Sequence, residues 1–128
     1  MRLRSLLAGS AVLALATAHA DDYSSRYTQC MDNASSTAAM GACIQAETQL
    51  QDARLNRVYA QLMAKLAGSQ QKALREVQRS WISYRDGNCA FHGHLSDGSV
   101  RRIEGAVCLM DMTKDRAAEL ERVLSPGQ

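Results

Sequence analysis

The sequence holds few residues that interrupt a helix. Its only proline is Pro126, close to the C-terminus, and glycine accounts for 8 of the 128 residues. Proline ends helices because it lacks an amide donor and clashes with the preceding turn. No segment shows the alternation of polar and apolar residues that a half-buried strand requires. These absences favour an all-helical protein over one that contains a sheet.

A surplus of charge of one sign is also missing. The sequence has 15 Lys and Arg against 13 Asp and Glu. Two of the basic residues, Arg2 and Arg4, lie within residues 1–20, so residues 21–128 carry 13 charges of each sign. Binding to nucleic acid depends on a basic patch. We therefore expect no nucleic-acid partner.

The N-terminal 20 residues have the pattern of a secretory signal peptide. Arg2 and Arg4 precede an apolar run from Leu6 to Ala18, and Ala18-His19-Ala20 forms a small-residue cleavage box. The run is shorter than the roughly 20 residues that a membrane-spanning helix needs. No cysteine follows the cleavage box, so we expect no lipid anchor. The prediction is a mature single domain of residues 21–128 in the periplasm or secreted.

Four cysteines lie in the mature part, at Cys30, Cys43, Cys89 and Cys108. An even number in a small exported chain is typical of disulfides, and no pair has the C-x-x-C spacing of a zinc site. Three pairings are possible. Closeness in sequence favours Cys30–Cys43 and Cys89–Cys108. Each would close a loop of about 14 to 20 residues, which in the chain-entropy model stabilises the fold by roughly 3 kcal/mol.

Apolar spacing predicts a hairpin of two long helices. A short helix over 21–33 is followed by a break with Ser35 or Ser36 as N-cap, and a long helix runs from Thr37 to about 67. Gly68 supplies its stop, and a second long helix spans 70–86. Because the connection is short, the two long helices should pack antiparallel.

The next segment, 87–98, contains three glycines and several polar turn residues, and it predicts an irregular loop. Ser99 is the expected N-cap of a third helix from Val100 to about 124. The predicted fold class is therefore all-α: a small bundle built on a long antiparallel hairpin plus a third helix, cross-linked by two disulfides.

Polar and aromatic residues at helical spacing occur on both long helices. They are Asp52, Asn56 and Tyr59 on the first and Gln78, Trp81 and Arg85 on the second. We expect a structural polar brace across the hairpin, with Asp52 facing Arg85 and Trp81 beneath the guanidinium. The alternative is a polar binding cleft between the helices.

The predicted loop holds the candidate contacts to a partner. They are Asp86, Phe91, His92, His94 and Asp97. A glycine-rich loop whose ends are fixed by Cys89 and by the helix that carries Cys108 is preordered for binding. The alternatives are an ordinary connection and a metal site at His92, His94 and Asp97. Two loop histidines two residues apart are a weak metal signal, so we predict no metal.

The sequence resembles the LprI-like family of exported proteins, which is named after a lysozyme inhibitor. The residues that carry the resemblance are Cys30, Cys43, Glu47, Asp52, Leu55-Asn56, Tyr59, Leu74, Gln78, Trp81, Arg85-Asp86, Cys89, Gly98-Ser99, Cys108, Thr113, Arg116 and Leu120. The resemblance implies a helical domain outside the cytoplasm. For some members it implies inhibition of lysozyme-type enzymes.

Signatures of catalysis are missing. The chain has no G-x-S-x-G, no H-E-x-x-H and no P-loop, and paired cysteines leave no thiolate nucleophile. We therefore expect no catalytic residue, no cofactor and no enzyme activity. The predicted function is an inhibitor or immunity-type binder of a lysozyme-like enzyme, acting as a monomer or weak dimer. The alternative is a non-enzymatic accessory module of the cell envelope.

Overall fold

The computed structural model describes residues 22–127, and the predicted signal peptide lies outside them. Four helices follow one another: α1 (Ser25–Asn33), α2 (Thr37–Lys65), α3 (Gly68–His94) and α4 (Gly98–Leu124). No residue between 22 and 127 is in a strand, and no helix in this range is long and apolar enough to cross a membrane. The all-α prediction is confirmed, as are both predicted disulfides.

The last helix occupies the centre of the bundle. It packs along α2 and along α3, while α1 packs on α2. Gly41 lies beside Ile103 and Arg54 pairs with Glu121, so α2 and α4 run in the same direction. The Cys89–Cys108 disulfide and the approach of Gly93 to the Arg101 carbonyl show that α3 runs antiparallel to α4.

The apolar core joins α2 to the second half of α4. Its buried members are Leu55, Val58, Leu62, Ala117 and Leu120. Two half-buried residues of α3, Leu74 and Trp81, close one side of this cluster. The three- and four-residue spacing on α2 that predicted a helix therefore also predicted the part of its buried face that Leu55, Val58 and Leu62 form.

Serine side chains cap the first two helices, and two predictions about helix ends need correction. The predicted N-cap Ser99 is wrong, because α4 begins at Gly98 and its N-cap residue is Asp97. Ser36 caps α2 as expected, because its hydroxyl accepts the Ala39 amide at 3.1 Å. The prediction that Gly68 stops α2 is wrong. The helix ends at Lys65, residues 66–67 are extended, and Gly68 opens α3. The Gln70 side chain accepts the Ala67 amide at 3.1 Å, and this bond caps the start of α3.

The predicted loop over 87–98 is largely wrong, because α3 continues through His94 and only residues 95–97 connect it to α4. Two glycines explain the difference. A Cβ on Gly93 would lie 3.3 Å from the Arg101 carbonyl oxygen, and one on Gly105 would lie 3.5 Å from the Cys89 carbonyl oxygen. Here glycine permits close packing of two helices, and that packing offsets its low helix propensity.

A buried carboxylate fastens the start of α1 to α2. Glu47 accepts hydrogen bonds from the Ser24 amide at 3.1 Å, the Ser24 hydroxyl at 2.5 Å and the Gln51 side chain at 2.8 Å. Burial opposes ionisation of this carboxyl, but those hydrogen bonds and the charge of Lys114 outweigh it. The pKa of Glu47 is therefore held below its ordinary value of 4.5.

We expect the Glu47→Gln substitution to reduce the free energy of unfolding by about 1–3 kcal/mol at neutral pH, because it removes a charge-assisted set of hydrogen bonds. A lowered native pKa stabilises the fold above the unfolded-state pKa, and this stabilisation disappears as pH falls through the native value. The difference from wild type in thermal denaturation should therefore shrink between about pH 7 and about pH 3. Exposed Glu76→Gln is the control. A difference that does not change with pH would contradict this role for Glu47.

The Gly93→Leu substitution should cost about 1–3 kcal/mol of folding free energy, because its side chain would force α3 and α4 apart. The matched control is Gly87→Leu on the same helix, where an added Cβ meets nothing within 4 Å. Chemical denaturation of dilute samples compares the two. Equal stability of both variants would show that α3 and α4 do not need the close approach.

Candidate functional site

The α3–α4 hairpin ends in a tip that the second disulfide closes. We define the hairpin tip as residues 89–108, bounded by the Cys89–Cys108 bond, whose Cα atoms are 5.3 Å apart. The tip contains the last six residues of α3, the connection 95–97 and the first eleven residues of α4. The Gly93 and Gly105 backbones meet inside it. The tip is therefore a rigid pair of helix ends, where the sequence had predicted a loop.

The five predicted contact residues are all exposed. Phe91 and His92 form an edge-to-face ring pair with centroids 5.8 Å apart. His94 lies against the Arg101 guanidinium, with Nδ1 at 2.5 Å. Asp97 is the N-cap residue of α4, and its side chain makes no capping bond. Four of the five thus share the tip.

Asp86 lies just outside the tip, on α3 before the disulfide. It forms an ion pair with the neighbouring Arg85 at 2.9 Å. His92 and His94 lie two residues apart on α3 and line two different grooves. Among residues 22–127 no three His, Cys, Asp or Glu side chains are placed to hold a metal ion.

One face of the tip carries what we call the acidic groove, with a volume of about 550 Å³. Its lining includes four apolar and four polar side chains, Leu95, Ile103, Val107 and Met112 with Asn88, His92, Glu104 and Asp111. Both carboxylates come from α4. The groove therefore combines an apolar floor with an acidic wall.

The opposite face carries the basic groove, of about 500 Å³. Its charged lining consists of Arg101, Arg102 and Asp86, together with His94. Gly93 and Gly105 also line it, at the point where α3 and α4 approach each other closely. The two faces of one hairpin thus differ in charge, although residues 21–128 are neutral as a whole.

The acidic groove contacts the segment before α1 at one end. The hydroxyl of Tyr23 donates a hydrogen bond to the Asp111 carboxylate, and the Lys114 ammonium lies 4.6 Å from the centroid of the same ring. Burial and the bond to Asp111 raise the pKa of Tyr23, which keeps the phenol protonated as a donor. This contact orients Asp111 beside the groove.

The predicted polar brace is rearranged. Trp81 has the Arg85 guanidinium at 5.1 Å from its ring centroid, as expected, but Arg116 of α4 also lies there, at 5.8 Å. The Arg116 Nε donates to the Gln78 side chain at 3.1 Å. Gln78, Trp81 and Arg85 lie on α3. They contact α4, because α4 lies between α2 and most of α3.

The expected contact between Asp52 and Arg85 is wrong. Exposed Asp52 accepts a bond from Asn56 at 3.3 Å, whereas Arg85 pairs with Asp86 and reaches Thr113 at 3.5 Å. Tyr59 packs beside the apolar core. That these six side chains fix the register of the helices stays a prediction.

Sequence reasoning missed the residues of α4 that complete these sites. Glu104 and Asp111 are seven residues apart, two helical turns, and this spacing alone indicates a shared face. The grooves could not be predicted, because they arise only when α3 continues beside α4 to His94. The positions of Arg101 and Arg102 in the basic groove also depend on the packing of α3 beside α4.

Comparisons with known proteins identify the family of this chain. A family model described as lysozyme inhibitor LprI matches residues 30–120. A protein of Rhizobium meliloti (strain 1021), whose own function is uncharacterised, is 28% identical over 70% of this chain and 74% of its own length. No solved structure matches. The family match begins at the first cysteine, spans both disulfides and covers well over half of the sequence, and so the chain belongs to the LprI lysozyme inhibitor family.

Proposed function

We propose that this protein inhibits a lysozyme-like, peptidoglycan-cleaving enzyme by docking the hairpin tip over the substrate cleft of the enzyme. The observation that carries the proposal is an exposed, disulfide-closed tip in a member of a lysozyme inhibitor family. Both disulfides fit an oxidising compartment outside the cytoplasm, where such enzymes act. Inhibition would be stoichiometric and would need no cofactor.

The rigidity of the tip supports this mode of binding. Association costs free energy for every side chain and loop that must be ordered. Here the disulfide and the contact of Gly93 with α4 order the backbone before a partner arrives. Phe91 and Leu95, which are 58% and 64% exposed, offer apolar surface at the end of the molecule. Exposed apolar surface rimmed by polar residues is typical of contacts between proteins.

The charge difference between the two faces supports one orientation. Peptidoglycan carries carboxylates, so an enzyme that holds it benefits from basic residues around its cleft. The acidic groove, with Glu104 and Asp111, complements such a surface, whereas Arg101 and Arg102 on the other face would repel it. We therefore propose that the acidic groove faces the enzyme and that the basic groove faces away.

Inhibition is measured by titrating oxidised residues 21–128 into lysozymes of the c, g and phage types that clear cell-wall suspensions. We expect saturable, near-stoichiometric protection against one type. The reduced protein should inhibit that enzyme at least about tenfold less well, because its tip is no longer preordered. Absence of protection against all three types would favour the accessory-module alternative.

The site itself is tested with Phe91→Ala and Asp97→Ala in one protein, which should weaken inhibition by about tenfold or more, equivalent to about 1.4 kcal/mol or more. The control combines Asp52→Ala with Val123→Ala, two exposed positions outside the tip. Unchanged inhibition by the tip variant, with inhibition by wild type intact, would remove the tip from the interface without removing the function.

Orientation is tested by reversing one charge on each face. Glu104→Lys should slow association with a basic enzyme by about tenfold at low salt, and the effect should diminish as salt screens it. Arg102→Glu is the matched control on the opposite face. Both positions are exposed, and neither forms an ion pair within residues 22–127. A larger effect of Arg102→Glu would reverse the proposed orientation.

A further inference from the structure

Most of helix α3 is uncovered. Of its 27 residues only Cys89 and Gly93 are buried, and both lie at the tip. Its inner side packs against α4 through half-buried residues such as Trp81 and Asn88. The outer side is exposed, and its large residues Val77, Tyr84 and Phe91 are 53%, 64% and 58% exposed.

The outer side has a regular pattern. We define the outer seam as six exposed, uncharged residues of α3, namely Ala73, Val77, Ser80, Tyr84, Gly87 and Phe91. Their separations alternate between four and three residues, which is the spacing that aligns side chains where two helices pack side by side. Five charged residues, Arg75, Glu76, Arg79, Arg85 and Asp86, lie between seam positions.

Small and large side chains alternate along the outer seam. Ala73, Ser80 and Gly87 are small, while the residues between and after them are large. Gly87 is not needed by the fold of one chain, because an added Cβ there would meet nothing within 4 Å. A glycine within a helix costs about 0.5–1 kcal/mol relative to alanine. Gly87 therefore leaves open space on the outer side of α3.

We propose that a second copy of this protein covers the outer seam, with the two α3 helices antiparallel. A two-fold axis midway between Ser80 and Tyr84 sets Tyr84 opposite Ser80 of the partner subunit. The same register sets Phe91 opposite Ala73 of the partner subunit and Val77 opposite Gly87 of the partner subunit. Each large side chain then faces a small one.

Symmetry is what favours a second copy over another partner. A two-fold interface uses the same patch twice, so each pairing must also work in reverse. The outer seam meets this condition at all six positions. Residues 21–128 also carry equal numbers of positive and negative charges, so net repulsion between copies is absent.

The expected dimer is weak. Two tyrosines and two phenylalanines, each more than half exposed, would bury on the order of 500 Å² together. With the rest of the seam the total is on the order of 1,000 Å², which is below the roughly 1,600 Å² of a standard stable interface. We therefore expect dissociation in the micromolar range or above. Phe91 belongs to both the seam and the tip, so the test uses Ser80, Tyr84 and Gly87, which lie outside the tip.

Analytical ultracentrifugation of oxidised residues 21–128 from micromolar to millimolar concentration should show a reversible dimer. Gly87→Leu and Ser80→Tyr should each raise the dissociation constant at least about tenfold, because two large side chains would then meet. Ser80→Tyr combined with Tyr84→Ser exchanges large and small positions and should restore the dimer. The control is Val123→Glu, at an exposed apolar position on α4.

Three outcomes would overturn the proposal. In the first, the wild type stays monomeric at every concentration. In the second, it forms a dimer that none of the seam variants weakens. In the third, Ser80→Tyr loses the dimer, and the protein with both Ser80→Tyr and Tyr84→Ser does not regain it although its circular dichroism is native. If the wild type is monomeric and Tyr84→Ser weakens enzyme inhibition, the seam contacts the enzyme instead. The dimer does not depend on the proposed function, because sedimentation needs no enzyme.

Discussion

The close approach of α3 to α4 is the constraint on which the rest of the structure depends. Gly93 and Gly105 remove the side chains that would separate the two helices, and the Cys89–Cys108 bond holds them together. Without this contact the glycine-rich end of α3 would have little reason to stay helical. With it, α4 is held between its neighbours, and both grooves of the tip exist.

The second organising feature is that buried polar groups are fully satisfied. Glu47 and Arg116 are both buried and charged, and each finds partners on another segment, Ser24 for the carboxylate and Gln78 for the guanidinium. No buried side-chain nitrogen or oxygen among residues 22–127 lacks a hydrogen-bond partner. Because an unpaired buried charge is costly, these contacts favour one arrangement of α1 and α3 around α2 and α4.

Much of the fold could be predicted from the sequence because helices have local causes. The apolar spacing of α2, its Ser36 cap and the closeness of each cysteine pair all depend on neighbours in the chain. The tip could not be predicted in the same way. Gly87 and Gly93 look alike in sequence, yet Gly93 packs against α4 and Gly87 faces open space. The partners of Arg85 and the acidic wall at Glu104 also depend on which helix lies beside which.

Helix α3 carries two surfaces that meet at one residue. Phe91 lies within the hairpin tip and also ends the outer seam, so a dimer through the seam would cover part of the surface proposed to bind an enzyme. A weak dimer resolves this competition by mass action, because the monomer dominates at low concentration and a tightly bound enzyme would withdraw it from the dimer. Self-association can then shield exposed aromatic surface without preventing inhibition, provided that the seam stays too small for a stable interface.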